Sequence, residues 1–153
     1  MPDSLRAILD CQSQSLARFV ELLRREQAAL SKGDAAELPA INQNKTELIE
    51  TLNRSDADRY RILTQAGYSG DATGMNAWLS SQADDMNRLW QKILQLAREA
   101  KELNRLNGQL IAARLQATDA ALSALNVKAK EGSLYGPQGQ KGSFTGSRII
   151  DSA

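Results

Sequence analysis

Residues 81–127 contain no proline and one glycine, Gly108, and apolar side chains return along them at Met86, Leu89, Ile93, Leu96, Ala100, Leu103 and Leu110, then Ala117 and Ala121. The steps alternate three and four, which lays these residues along one seam of an α-helix. A second, offset row (Trp90, Leu94, Ala97, Ile111, Leu115, Leu122, Leu125) widens the seam into a stripe that can face two partners. At a rise of ~1.5 Å per residue the helix would be roughly 70 Å long. No other segment of the chain is long enough to cover it, so the fate of the surplus governs what the chain can do.

The rest of the chain supplies shorter rods. Asp3 or Ser4 can cap a first helix, whose seam reads Leu5, Leu9, Gln12, Leu16, Phe19, Leu23, Glu26, Leu30, flanked by Ile8, Val20 and Leu22. Cys11 lies beside this stripe and reads as a small apolar filler. Lys32-Gly33 ends the helix, with Gly33 as its left-handed cap. Asp34 and Glu37 form a capping-box pattern, but Pro39 would remove a helix hydrogen bond if it lay deep in the first turn, so a start at Pro39 competes. Leu38, Ile41, Lys45, Leu48 and Leu52 form the second seam. Lys45 takes an apolar position. Either its stem packs while its ammonium reaches water, or it fixes helix register at some cost in stability.

Ser55 followed by Asp58 predicts a break near residues 53–55 and a short helix carrying Tyr60 and Leu63 that stops at Gly67. Residues 67–74 are turn-rich and read as a loop, after which Met75, Trp78 and Leu79 suggest one helical turn tucked against the bundle. Ser81 with Asp84 would cap the long helix. Within that helix Asn104, Asn107 and Gly108 interrupt the apolar rows, as a polar layer or mild kink would, or as a hinge between two working halves. Residues 131–153 hold five of the ten glycines and one of the three prolines, without periodicity. The expectation is an all-α antiparallel bundle over 1–130, with about three long and one or two short helices, followed by a disordered Gly-rich tail over 131–153.

Composition agrees. Apolar residues are 42 % of the chain and aromatics only 5 %, which suits Leu- and Ala-rich helices better than a sandwich of strands. The 19 basic and 18 acidic residues nearly cancel, against the basic excess of a nucleic-acid binder. Arg98, Lys101 and Arg105 share a face, but Glu99 and Glu102 dilute it, so it reads as a solvated surface. No run of ~18 apolar residues is present to span a membrane, and the first residues lack the pattern of a secretory signal. A single cysteine, Cys11, fits a reducing cytoplasm.

Catalytic chemistry is not visible. The chain has no histidine, so it lacks the commonest general base and zinc ligand, and Cys11 has no imidazole to activate it. Paired carboxylates lie beside Lys and Arg on helix faces, and no glycine-rich loop joins a strand to a helix. No enzyme, metal site or cofactor is expected.

A binding surface is. Helices one and two would cover the long helix to about Leu103, leaving residues 109–126 to project ~25 Å. That stretch carries Leu110, Ile111, Leu115, Leu122 and Leu125, among alanines that would let a second backbone approach. A surface of this kind folds back at Asn107-Gly108, dimerises, or holds another protein's amphipathic helix. Four apolar anchors at ~1.5–3 kcal/mol each give roughly 6–12 kcal/mol gross. Ordering a disordered partner takes ~2–5 kcal/mol of this.

The chain resembles the FlgN-type flagellar export chaperones. The resemblance spans nearly its whole length: the first amphipathic helix ending in Gly33-Asp34 with Leu38 following, Lys45 before Leu48 and Leu52, Trp90 and the Asn104/Asn107 pair in a long last helix, and Leu134-Tyr135-Gly136 with Gly139 in a loose tail. The Leu-Tyr-Gly tail is its most specific part, and Pro39 is an oddity that leaves the start of the second helix open. The resemblance implies a small cytoplasmic chaperone without ATPase activity. It would bind C-terminal helices of the hook–filament junction proteins, prevent their premature assembly and deliver them to the type III export gate and its ATPase complex. On that analogy the client would lie on Leu110, Ile111, Leu115, Leu122 and Leu125, and Leu134, Tyr135 and Gly136 would dock on the gate. Tyrosine also suits a short linear motif on physical grounds, as a large contact area with little rotamer entropy to lose. The alternative is a structural coiled coil, a homodimer paired through its last helix.

Overall fold

The computed structural model describes residues 2–125, and its regular structure is helical: α1 (Pro2–Lys32), α2 (Leu38–Gln65), α3 (Ala72–Leu79) and α4 (Asp84–Ala124). No strand occurs among the described residues, and the architecture is the expected all-α bundle. The expectations for residues 126–153, including the tail and its Leu134-Tyr135-Gly136 motif, lie outside the described residues.

The three long helices run up, down and up. Glu26 pairs with Lys45 while Cys11 lies near Ser55, so α2 is antiparallel to α1. Arg6 pairs with Asp85, Arg24 with Glu99, and Asn107 reaches Leu23 and Glu26, so α4 runs parallel to α1. All eight residues of the first expected seam, from Leu5 to Leu30, are buried, Gln12 and Glu26 included. In α4 the burial is shifted from the expected seam. Trp90, Leu94 and Ala97 are buried with Met86, Ile93 and Ala100, while Leu89, Leu96 and Leu103 are only half-buried. Phe19, Val20, Leu23 and Ala100 make a second core cluster nearer the free end of α4.

The helix ends follow local chemistry. Gly33 adopts φ 75° and lets the Asp34 amide donate back to the Ala29 carbonyl at 3.0 Å. Gly67, at φ 89°, does the same for α2: Tyr68 N–H donates to Leu63 and Gly67 N–H to Thr64. Asp34 caps a 3₁₀ turn at Ala35–Glu37, and α2 begins at Leu38 with Pro39 in its first turn, where a missing N–H is harmless. Asp71 caps α3 by accepting from Gly74 N–H. That bond and the Ser69 hydroxyl beside it hold the Asp71 carboxyl below the usual carboxylate range, the hydroxyl most of all.

Four expectations are corrected. The break near 53–55 is absent. Ser55 and Asp56 are buried, Asp56 accepts from Arg59 at 2.6 Å, and Leu52 and Leu63 continue the packed face on either side. Residues 72–79 form two helical turns rather than one, placing Met75, Trp78 and Leu79 in the main core. The Ser81 hydroxyl donates to the Trp78 carbonyl instead of capping α4, which starts at Asp84. Cys11 is exposed rather than packed as a filler.

Candidate functional site

The site is the end of α4 that α1 does not cover. Both helices begin at the same end of the bundle, and α4 has 41 residues against 31 in α1. Asn107 is the last buried residue of α4. One heptad further, Arg114 donates from Nε to the Leu30 carbonyl, one of the last four carbonyls of α1. The guanidinium there also meets the negative end of the α1 dipole. Among the described residues, no hydrogen bond or ion pair joins α4 to another helix beyond Arg114.

Of the residues expected to form a client groove, Leu110, Ile111, Leu115 and Leu122 are half-buried and Leu125 is 74 % exposed. Ala112, Ala113, Ala117, Ala120, Ala121 and Ala124 around them are exposed. The structure thus puts five apolar side chains and a row of small ones on the last turns of one helix. The first three lie alongside the last turns of α1, Leu115 one residue past Arg114, and Leu122 and Leu125 lie past its end.

The base of this surface is a polar layer joining all three long helices. Glu26 of α1, with 4 % of its side chain exposed, accepts from Lys45 Nζ of α2 through both carboxylate oxygens at 3.1 Å. Asn107 of α4 donates from Nδ2 to Glu26 Oε1 at 2.8 Å and to the Leu23 carbonyl at 2.9 Å. Lys45 is therefore drawn inward, and Asn107 is a layer residue, not a break. α4 runs through Gly108 as unbroken helix, and a side chain at that position would meet nothing within 4 Å.

A second polar layer lies deeper. Arg59, 2 % exposed, donates to Asp56 and stacks over Trp90 with its guanidinium 4.8 Å from the ring centroid. Sequence reasoning missed Arg59, yet the signal was present. Arg59 follows Lys45 by two heptads on α2, as Glu26 follows Gln12 by two heptads on α1.

The outer faces are solvated and paired. Arg105 binds Glu102 through two nitrogens, and Glu99 pairs with Arg24 of α1, so both acids that flank the basic row of α4 are engaged in ion pairs. The same pairing holds the Glu102 carboxyl below its usual range and raises Arg105. Among the described residues no cluster of histidine, cysteine or carboxylates is arranged to hold a metal, and no helix is long and apolar enough to cross a membrane.

The family model described as FlgN protein matches residues 1–143. The chain belongs to the FlgN family. Among curated FlgN relatives, the flagella synthesis protein FlgN of Proteus mirabilis is 30 % identical over 142 residues, covering 92 % of this chain and 91 % of that protein. The flagella synthesis protein FlgN of Salmonella typhimurium is 28 % identical over 138 residues, covering 89 % of each chain. No solved structure matches the chain. The FlgN match runs through the whole bundle, including the free end of α4 and the Leu134-Tyr135-Gly136 motif beyond it.

Proposed function

We propose that this chain is a non-enzymatic cytoplasmic export chaperone. It binds amphipathic C-terminal helices of flagellar hook–filament junction proteins, holds them apart before assembly and delivers them to the type III export gate and its ATPase complex. Membership of the FlgN family and relatives named for flagella synthesis support the flagellar setting. The observation that carries the binding role is the end of α4 beyond Arg114, apolar and without a bond to α1 or α2. Leu110, Ile111, Leu115, Leu122 and Leu125 take the client, and the alanines between them allow close backbone approach. Leu134, Tyr135 and Gly136 dock on the gate, so capture and delivery use different parts of the chain.

Calorimetric titration with a peptide spanning the C-terminal helix of a hook–filament junction protein tests this. Leu110, Leu115 and Leu122 changed together to Asp remove three anchors worth ~1.5–3 kcal/mol each at full burial. At 1.4 kcal/mol per factor of ten, affinity is expected to fall at least a hundredfold. Unchanged affinity in the folded triple variant removes the α4 surface from the client site.

A further inference from the structure

The length that α4 leaves free depends on how far it is slid along α1, and the heptad pattern of apolar residues alone does not set that position. Met86, Ile93 and Ala100 repeat at seven, so a slide of one heptad would keep apolar residues facing apolar residues over most of the interface. Nor does a tight turn set it. α1 and α4 are parallel, and their connection runs through all of α2, the loop at 66–71 and α3. Loop chemistry such as the Gly33 cap fixes α1 against α2 only.

Four side chains of α4 distinguish one register from the next: Asp85 and Glu99 through ion pairs with Arg6 and Arg24 on the exposed flank, and Asn107 and Arg114 through bonds to α1 carbonyls beside the free end. Asn107 donates to the Leu23 carbonyl and Arg114 to the Leu30 carbonyl, and both bonds span the same offset of 84 residues. They are consecutive members of one heptad row on α4, bonding to carbonyls one heptad apart on α1. Asn107 also reaches Glu26, which Lys45 ties to α2, so the same pin couples all three helices. A slide of α4 by one heptad in one direction puts Ala100 against Leu23, and in the other puts Ala121 against Leu30. Either slide loses a bond that no apolar contact replaces, and buried asparagine in a heptad seam is a recurrent register device.

We propose that Asn107 and Arg114 are positioning residues that lock α4 at one axial register on α1, and so fix how many residues stand free beyond it. A one-heptad slide would lengthen or shorten the free end by seven residues, about 10 Å. The consequence for client capture rests on the chaperone reading above; the register itself does not.

The test reads the register directly, without a client. Cys11, the chain's single cysteine, is changed to Ser, and spin labels are placed at Gln14→Cys on α1 and Gln116→Cys on α4, both exposed positions. The observed offset places the labels roughly 27 Å apart along the bundle axis. Double electron–electron resonance should give one distance population for the parent chain and for Arg114→Lys, which keeps a donor over the end of α1. Asn107→Leu/Arg114→Leu should add a population displaced by about 10 Å. A single population at the parent distance in the folded double variant overturns the proposal. Should the double variant lose its helical circular dichroism, Arg114→Leu alone decides: a displaced or broadened population is expected, and an unchanged one overturns the inference. Loss of client binding by the Asp variants above with the register intact, or the reverse, separates the two claims.

Discussion

Lys45 occupies a position that the α2 seam reserves for an apolar residue, and the structure answers with Glu26, itself an intruder in the α1 seam. A buried pair of this kind adds little net stability relative to apolar neighbours, but removing one partner strands a charge. Lys45→Met should therefore destabilise the bundle by about 3 kcal/mol, measured by urea unfolding at neutral pH. Lys45→Met/Glu26→Leu should recover most of that loss, because neither charge is then left alone. Additive losses in that cycle would mean that the two residues act separately. The sequence made Lys45 legible as a misfit and left two readings open, a snorkelling stem or a register device. The partner was not legible, because pairing across helices requires the register that the pairing itself helps define. The two-heptad spacing shared by Lys45 with Arg59 and by Gln12 with Glu26 was the available clue.

The C-terminal ends of α1 and α2 proved readable from local chemistry, while the Ser81 cap did not. Gly33 and Gly67 sit at positive φ where the sequence placed them, because a left-handed residue is needed to turn each chain out of its helix. Ser55 with Asp58 resembled a helix start and was not one. A cap signature competes with packing, and here Leu52, Leu63 and the buried Asp56–Arg59 pair held the helix together. The shift of the buried stripe on α4 toward Trp90, Leu94 and Ala97 has the same origin: periodicity defines a face, and the neighbours decide its centre. Gly108 separates the remaining readings of α4. It lies in continuous helix with open space where a Cβ would be, so Gly108→Ala should raise stability by about 0.5–1 kcal/mol in urea unfolding. Client affinity should be unaffected. A loss of client affinity in this more stable variant would instead assign Gly108 a hinge role in capture.

For the whole molecule, the choice is whether the free end of α4 serves another protein or a second copy of itself. Heptad pattern does not decide this, since a seam that accepts a foreign helix also accepts its own kind. Area does bear on it. The stretch past Asn107 is about 25 Å long, and a helix is ~10 Å across, so an end-to-end pairing of two such tips covers a few hundred Å² per partner. Stable interfaces bury ~800 Å² on each side. Exposed alanines dominate between the larger side chains, and Leu125 stands at the very tip. A homodimer built on that contact alone is too small to persist at micromolar concentration. A single helix carries no bundle behind its contact face, so it can lie lengthwise along α4 and reach Leu110, Ile111 and Leu115 as well as the tip, a larger contact than two tips meeting end to end. Multi-angle light scattering at micromolar concentration should accordingly return the 16.7 kDa monomer, and a one-to-one complex when the client peptide is added. A stable dimer that the Leu110/Leu115/Leu122→Asp variant dissolves would show that α4 pairs with itself, and the chain would then be read as a structural coiled coil.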